Sequence, residues 1–131
     1  MTSKNLDGRS VLDGFRASGS FKSLFPRAQG AALDAVLLNT AGGITGGDRF
    51  DFTGEAGADS TLTLTTQACE RAYKARPGEM AHIRNHLRVA DGARINWLPQ
   101  ETILFDDCAL DRRLTIDLAP TARLLMVEPL V

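Results

Sequence analysis

Beyond residue 40 the chain alternates apolar and polar residues with a period of two, and no stretch there sustains a helical stripe. Thr61-Leu62-Thr63-Leu64-Thr65 and Leu114-Thr115-Ile116-Asp117-Leu118 are strict cases. Successive side chains on a strand point to opposite faces, so such a run buries one face of a sheet and wets the other. Between His82 and Val89 the same rule puts Ile83, Leu87 and Val89 on one face, with His82, Arg84, His86 and Arg88 opposite. The apolar run Ala31–Leu38 suits a buried strand. The first 20 residues, rich in Ser, Gly and charge, read as a ragged start with one short strand near Gly14–Ser18. Ala68–Arg76 is the one helix-tolerant run. The fold class is all-β with little helix.

An internal repeat refines this. Ser60-Thr-Leu-Thr-Leu, Ala93-Arg-Ile-Asn-Trp and Ala122-Arg-Leu-Leu-Met each follow a turn segment, GEAGAD, ADG and LAPT, and each turn follows another strand-like run. A unit of strand, tight turn and strand buries its apolar face by stacking on its neighbours, which predicts a layered or helicoidal β architecture. An antiparallel sandwich produces a similar pattern, so solenoid-like and sandwich-like arrangements both stay open.

The length of 131 residues fits one β-rich domain over 1–131, and 44% hydrophobic with 24% charged residues is an ordinary globular balance. A formal net charge of -1 offers no basic excess for nucleic acid or an anionic membrane. There is no apolar run of membrane-spanning length and no secretory leader pattern at the start. Two cysteines, Cys69 and Cys108, are too few for a disulfide framework, which points to a reducing cytoplasm.

The segment NTAGGITGGDRF, residues 39–50, raises the question of a phosphate cradle. A phosphate loop ends in Gly-Lys-Ser/Thr at a helix start, and a dinucleotide loop spaces its glycines G-x-G-x-x-G; neither pattern is present. Phe50-Asp51-Phe52 begins a strand instead, and paired glycines are what tight turns require. His82 and His86 would make a metal-binding edge on a helix, but on a strand they stand roughly 13 Å apart, too far to share one ion. Asp106, Asp107 and Asp111 flank Cys108 and could offer a cation oxygen ligands, or simply form an Asp-rich turn. In Trp97-Leu98-Pro99-Gln100-Glu101-Thr102 the proline stops a central strand, and the polar residues after it suit a rim, groove or internal channel, or a plain polar turn. No catalytic constellation emerges.

Taken in order, SGSFKSLFPR, VLLNTAGGITGGDRF, LTLTTQACERAY, WLPQETILFDD and LDRRLTIDLAPTARLLMVEPLV resemble the urease accessory proteins of the UreD (UreH) type, from about Gly14 to the last residue. That resemblance implies a mainly β, helicoidal fold. It also implies a non-enzymatic scaffold for nickel insertion during urease maturation, binding urease apoprotein and the helical accessory protein UreF, which recruits the GTP-hydrolysing metallochaperone UreG. Nickel would be transient cargo with no tightly bound cofactor, and the glycine segment would be architectural. Family members are about twice this length, so the chain is expected to be the N-terminal half. A passage for a divalent cation needs several weak oxygen donors. Asp48, Thr66, Gln67, Gln100, Glu101 and Asp106 lie inside the family-like motifs and are the candidates for it; no metal role falls to Cys69, Cys108, His82 or His86. The competing readings are a small phosphate- or nucleotide-binding protein and a β-rich interaction module unrelated to nickel.

Overall fold

A computed structural model describes residues 1–131 as strands and connections without a helix. The strands are β1 (Thr2–Leu6), β2 (Arg9–Gly14), β3 (Phe21–Leu24), β4 (Leu33–Asn39), β5 (Arg49–Ala56) and β6 (Thr61–Thr66). They continue with β7 (Glu70–Ala72), β8 (Ala81–Val89), β9 (Arg94–Leu98), β10 (Thr102–Leu104), β11 (Leu110–Leu118) and β12 (Arg123–Met126). Two five-stranded sheets, ordered β11-β8-β5-β1-β2 and β12-β9-β6-β4-β3, enclose the core, and β10 pairs with β7 apart from them.

Strand direction decides between the two architectures left open. β5, β8 and β11 pair in parallel, as do β6, β9 and β12. The chain therefore runs along one sheet, turns a corner, returns along the other and climbs to the next level. This is a stacked-coil solenoid flattened into two layers. Its register matches the sequence repeat, because Arg94 lies beside Thr61 on one side and Arg123 on the other.

Stacking in register lines up apolar residues in rows. Leu62, Ile95 and Leu124 form one row, facing Val89 with Leu118 from the other sheet, and Leu64, Trp97 and Met126 form the next, facing Leu87 with Ile116. Leu62, Leu64, Leu87 and Ile95 are completely buried. Each such side chain contributes roughly 1.5–3 kcal/mol relative to exposure. Phe52 stacks on Trp97 at 5.9 Å between ring centroids and ties the two layers together. At the corner the repeat begins with small residues, and the buried Ser60 hydroxyl meets that of Ser3 at 2.8 Å.

One local expectation fails. The first 20 residues are not ragged: β1 and β2 form an antiparallel hairpin, Gly14 closes β2, and Phe15–Ser18 lies outside any strand. Ala68–Arg76 holds β7 and no helix, because this short strand is fixed by parallel pairing with β10. The glycine segment leads directly into β5, as its Phe-Asp-Phe continuation implies.

Candidate functional site

At the end of the sandwich away from the corner turns, polar residues interrupt the apolar rows. Phe50 and Ile83 share a row with Arg112, and Phe52 shares one with Asn85 and Leu114. Asn85 is only 7% exposed. An amide and a guanidinium cannot fill hydrocarbon positions, and a cavity of about 50 Å³ is left there. Phe50, Thr66, Glu70, Trp97, Gln100 and Arg112 are among its walls. One water needs about 10–15 Å³ of such space, so the cavity suits a few waters or a small ion and excludes a nucleotide.

Glu70 reaches this cavity from β7, whose partner strand sets Thr102 beside it. Asn39, the last residue of β4, donates from Nδ2 to Glu70 Oε1 at 3.1 Å and to the Gly43 carbonyl at 3.0 Å. Burial pushes the Glu70 carboxyl pKa above its ordinary range; the Asn39 bond, the Arg71 amide and the Arg112 charge pull it down, while Asp48 adds to the rise. The glycine segment presses against the same strand. Ile44 N–H donates to the Arg71 carbonyl and Tyr73 N–H to the Ile44 carbonyl, each at 2.7 Å. Gly43 lies under Tyr73, where a Cβ would collide with the ring. The paired glycines thus hold β7 and its carboxylate in place.

On the other side of the cavity, Arg112 donates from Nη1 to Thr102 Oγ1 at 2.9 Å and from Nη2 to Glu128 Oε1 at 2.8 Å. Its Nε is buried without a partner. Glu128 Oε1 also accepts the Trp97 indole N–H at 2.7 Å. The segment after β12 bridges to β10 at Thr102 and Leu130, which brings Glu128 against Arg112.

Two surface depressions share walls with the cavity. One, of about 180 Å³, has Thr66 and Glu70 in common with it and adds Asn39, Gln67 and Cys69. The other, of about 420 Å³, has Thr102 and Arg112 in common with it and adds Cys108, Leu114, Glu128 and Leu130. Glu70 lines one depression and Arg112 the other. No three of His, Cys, Asp and Glu gather anywhere closely enough to make a metal cage. The donors at the cavity are a carboxylate, hydroxyls and amides.

A family model described as UreD urease accessory protein matches residues 1–131. The chain belongs to the UreD family. The UreD urease accessory protein of Ruegeria pomeroyi is 60% identical over all 131 residues, which make up 51% of that relative. Those of Roseobacter denitrificans and Rhizobium leguminosarum bv. trifolii are 53% and 48% identical over the whole chain, which makes up 48% of each. The chain thus spans about half the length of the curated UreD relatives it matches.

Of the six residues singled out within the UreD-like motifs, Thr66 and Gln100 line the cavity, and Gln67 lines the neighbouring depression. Asp48 caps the glycine turn instead, its carboxylate accepting the Thr45 N–H at 2.8 Å. Glu101 gives its backbone carbonyl to the Glu70 N–H at 2.9 Å. Asp106 is exposed in the turn before β11. Cys69 and Cys108 are free thiols. His82 and His86 lie on the outer sheet face, paired with Asp111 at 3.4 Å and Asp117 at 2.6 Å. Asp107 lies in the turn, but Asp111 belongs to β11.

Glu70, Asn85, Arg112 and Glu128 were not singled out from the sequence. For two of them the signal is present. Carrying the Leu114–Leu118 alternation two residues back makes Arg112 inward-facing, and the Ile83–Val89 face has Asn85 in its middle.

Proposed function

We propose that the chain acts in urease maturation as a non-catalytic scaffold that helps deliver nickel to urease apoprotein in the cytoplasm. In this reading it works with UreF and, through UreF, with UreG, which supplies the GTP hydrolysis. Membership of the UreD urease accessory family along all 131 residues is the observation that carries the proposal. The cavity chemistry supports it. A passage must bind its ion weakly and at several points, because a tight cage would keep the cargo. Thr66, Gln100, Asn85 and Glu70 offer oxygen donors of that sort, with Gln67 outside. Nickel is cargo here, and no step requires the chain to make or break a covalent bond.

The test is to produce the urease subunits with the other accessory proteins, with and without this chain, and to measure nickel per urease active site and urea hydrolysis. Higher nickel content and activity with the chain, together with its co-purification with apoprotein, are expected. Unchanged nickel content and activity would overturn the proposal.

A further inference from the structure

Arg112 is a cation built into the wall of a cavity proposed to pass cations. Its register row otherwise holds Phe50 and Ile83, so an arginine here is not explained by packing. It is bonded to Glu128, and its charge also acts on Glu70. It lines both the cavity and the larger depression outside.

We propose that Arg112 is a displaceable stand-in for the cargo: its guanidinium serves as counter-charge to Glu70 and Glu128, and a divalent cation entering the cavity takes its place. The inference deepens the maturation reading and rests on it. Glu70, half-buried at the cavity wall, is poorly solvated without a cation nearby, and Glu128 stands at the edge of the adjoining depression. Arg112 offsets part of that negative charge. Its side chain is one-fifth exposed and has a long flexible stem, so the guanidinium can swing toward the outer depression while its stem stays packed. The unpartnered Nε leaves its hold incomplete, and the loss on release is correspondingly smaller. When it leaves, Glu128, Thr102, Glu70 and their neighbours present oxygen donors. The Trp97 N–H keeps the Glu128 carboxylate aimed. The ion pair then acts as a gate that opens by exchange of partners.

Trp97, the chain's single tryptophan, forms part of the cavity wall and is the reporter. Paramagnetic nickel(II) at Glu128 would quench its emission, whereas magnesium would not. Titration of the 131-residue chain with nickel(II) is expected to give saturable quenching. Arg112→Met, which removes the competing charge, should move the midpoint to about tenfold lower nickel. Glu128→Gln should raise the midpoint or abolish the quenching. Should Arg112→Met not fold by far-ultraviolet circular dichroism, Arg112→Lys, which loses the paired donors, should shift the midpoint in the same direction by about threefold. An unchanged or raised midpoint in a folded Arg112 variant overturns the proposal, as does the lack of saturable quenching in the unaltered chain. The titration contains no urease, so its failure is distinct from failure of the maturation reading.

Discussion

Glu70 carries its charge in a place that disfavours it. Burial raises its pKa, so the folded protein binds this proton more tightly than the unfolded chain does. The resulting penalty is fully present above the folded pKa and fades as the pH falls toward the ordinary glutamate value of 4.5. Glu70→Gln is therefore expected to melt at a higher temperature than the unaltered chain at neutral pH, with the difference shrinking toward pH 4.5 in a thermal series. Asp111 has the opposite sign. Hydrogen bonding from Arg84, then from Arg113, holds its carboxyl below the ordinary 3.8. Its contribution is present above that value and is lost as the pH falls through the depressed pKa. Asp111→Asn should therefore lower the melting temperature slightly at neutral pH and have no effect in strong acid, the small size reflecting a solvent-screened pair. Gly43 has φ of 153°, and a side chain there would meet both Tyr73 and the Arg71 carbonyl. Gly43→Ala should cost about 1–3 kcal/mol in urea unfolding.

At the scale of the element, β8 and β11 each carry one polar residue in an otherwise apolar phase, and the cavity exists because of them. Asn85→Leu would complete the row between Phe52 and Leu114. It is expected to raise stability by about 1–2 kcal/mol in urea unfolding, since a buried amide gives way to hydrocarbon. On the proposed maturation role it should also reduce nickel loading of urease. Much of this layer was legible in the sequence. Alternation located β6, β8 and β11, and the repeats at Ser60, Ala93 and Ala122 turned out to be register partners in β6, β9 and β12 or the residues just before them. The β1–β2 hairpin was missed although Asp7-Gly8, both with positive φ, is the dipeptide of a two-residue hairpin turn. The polar composition around it masked that signal. Strands β7 and β10 have three residues each, too few for any period to register. Glu128 was illegible for a different reason: its partners Trp97 and Arg112 come from other strands, and only the stacking of coils unites them.

For the whole molecule, stacking in one direction leaves unequal ends. β11 and β12 are outermost in their sheets, with an unpaired backbone row each. Leu118, Leu125, Met126, Val127, Leu130 and Val131 are exposed around them. Such an edge is a template for further strand pairing. The isolated chain is expected to associate as its concentration rises, and Leu125→Lys to shift it toward monomer in sedimentation experiments. The β1–β2 and β3–β4 ribbons are the pairs joined by short connections, whereas β5 to β8 and β6 to β9 meet only after a complete circuit of the chain. As the polypeptide leaves the ribosome, those early ribbons can zip up at once, while every later level must wait for about 30 more residues before closing a costlier loop. Assembly is thus expected to follow synthesis, each finished storey becoming the mould for the one above, and arrested nascent chains should gain protease resistance in steps of about 30 residues.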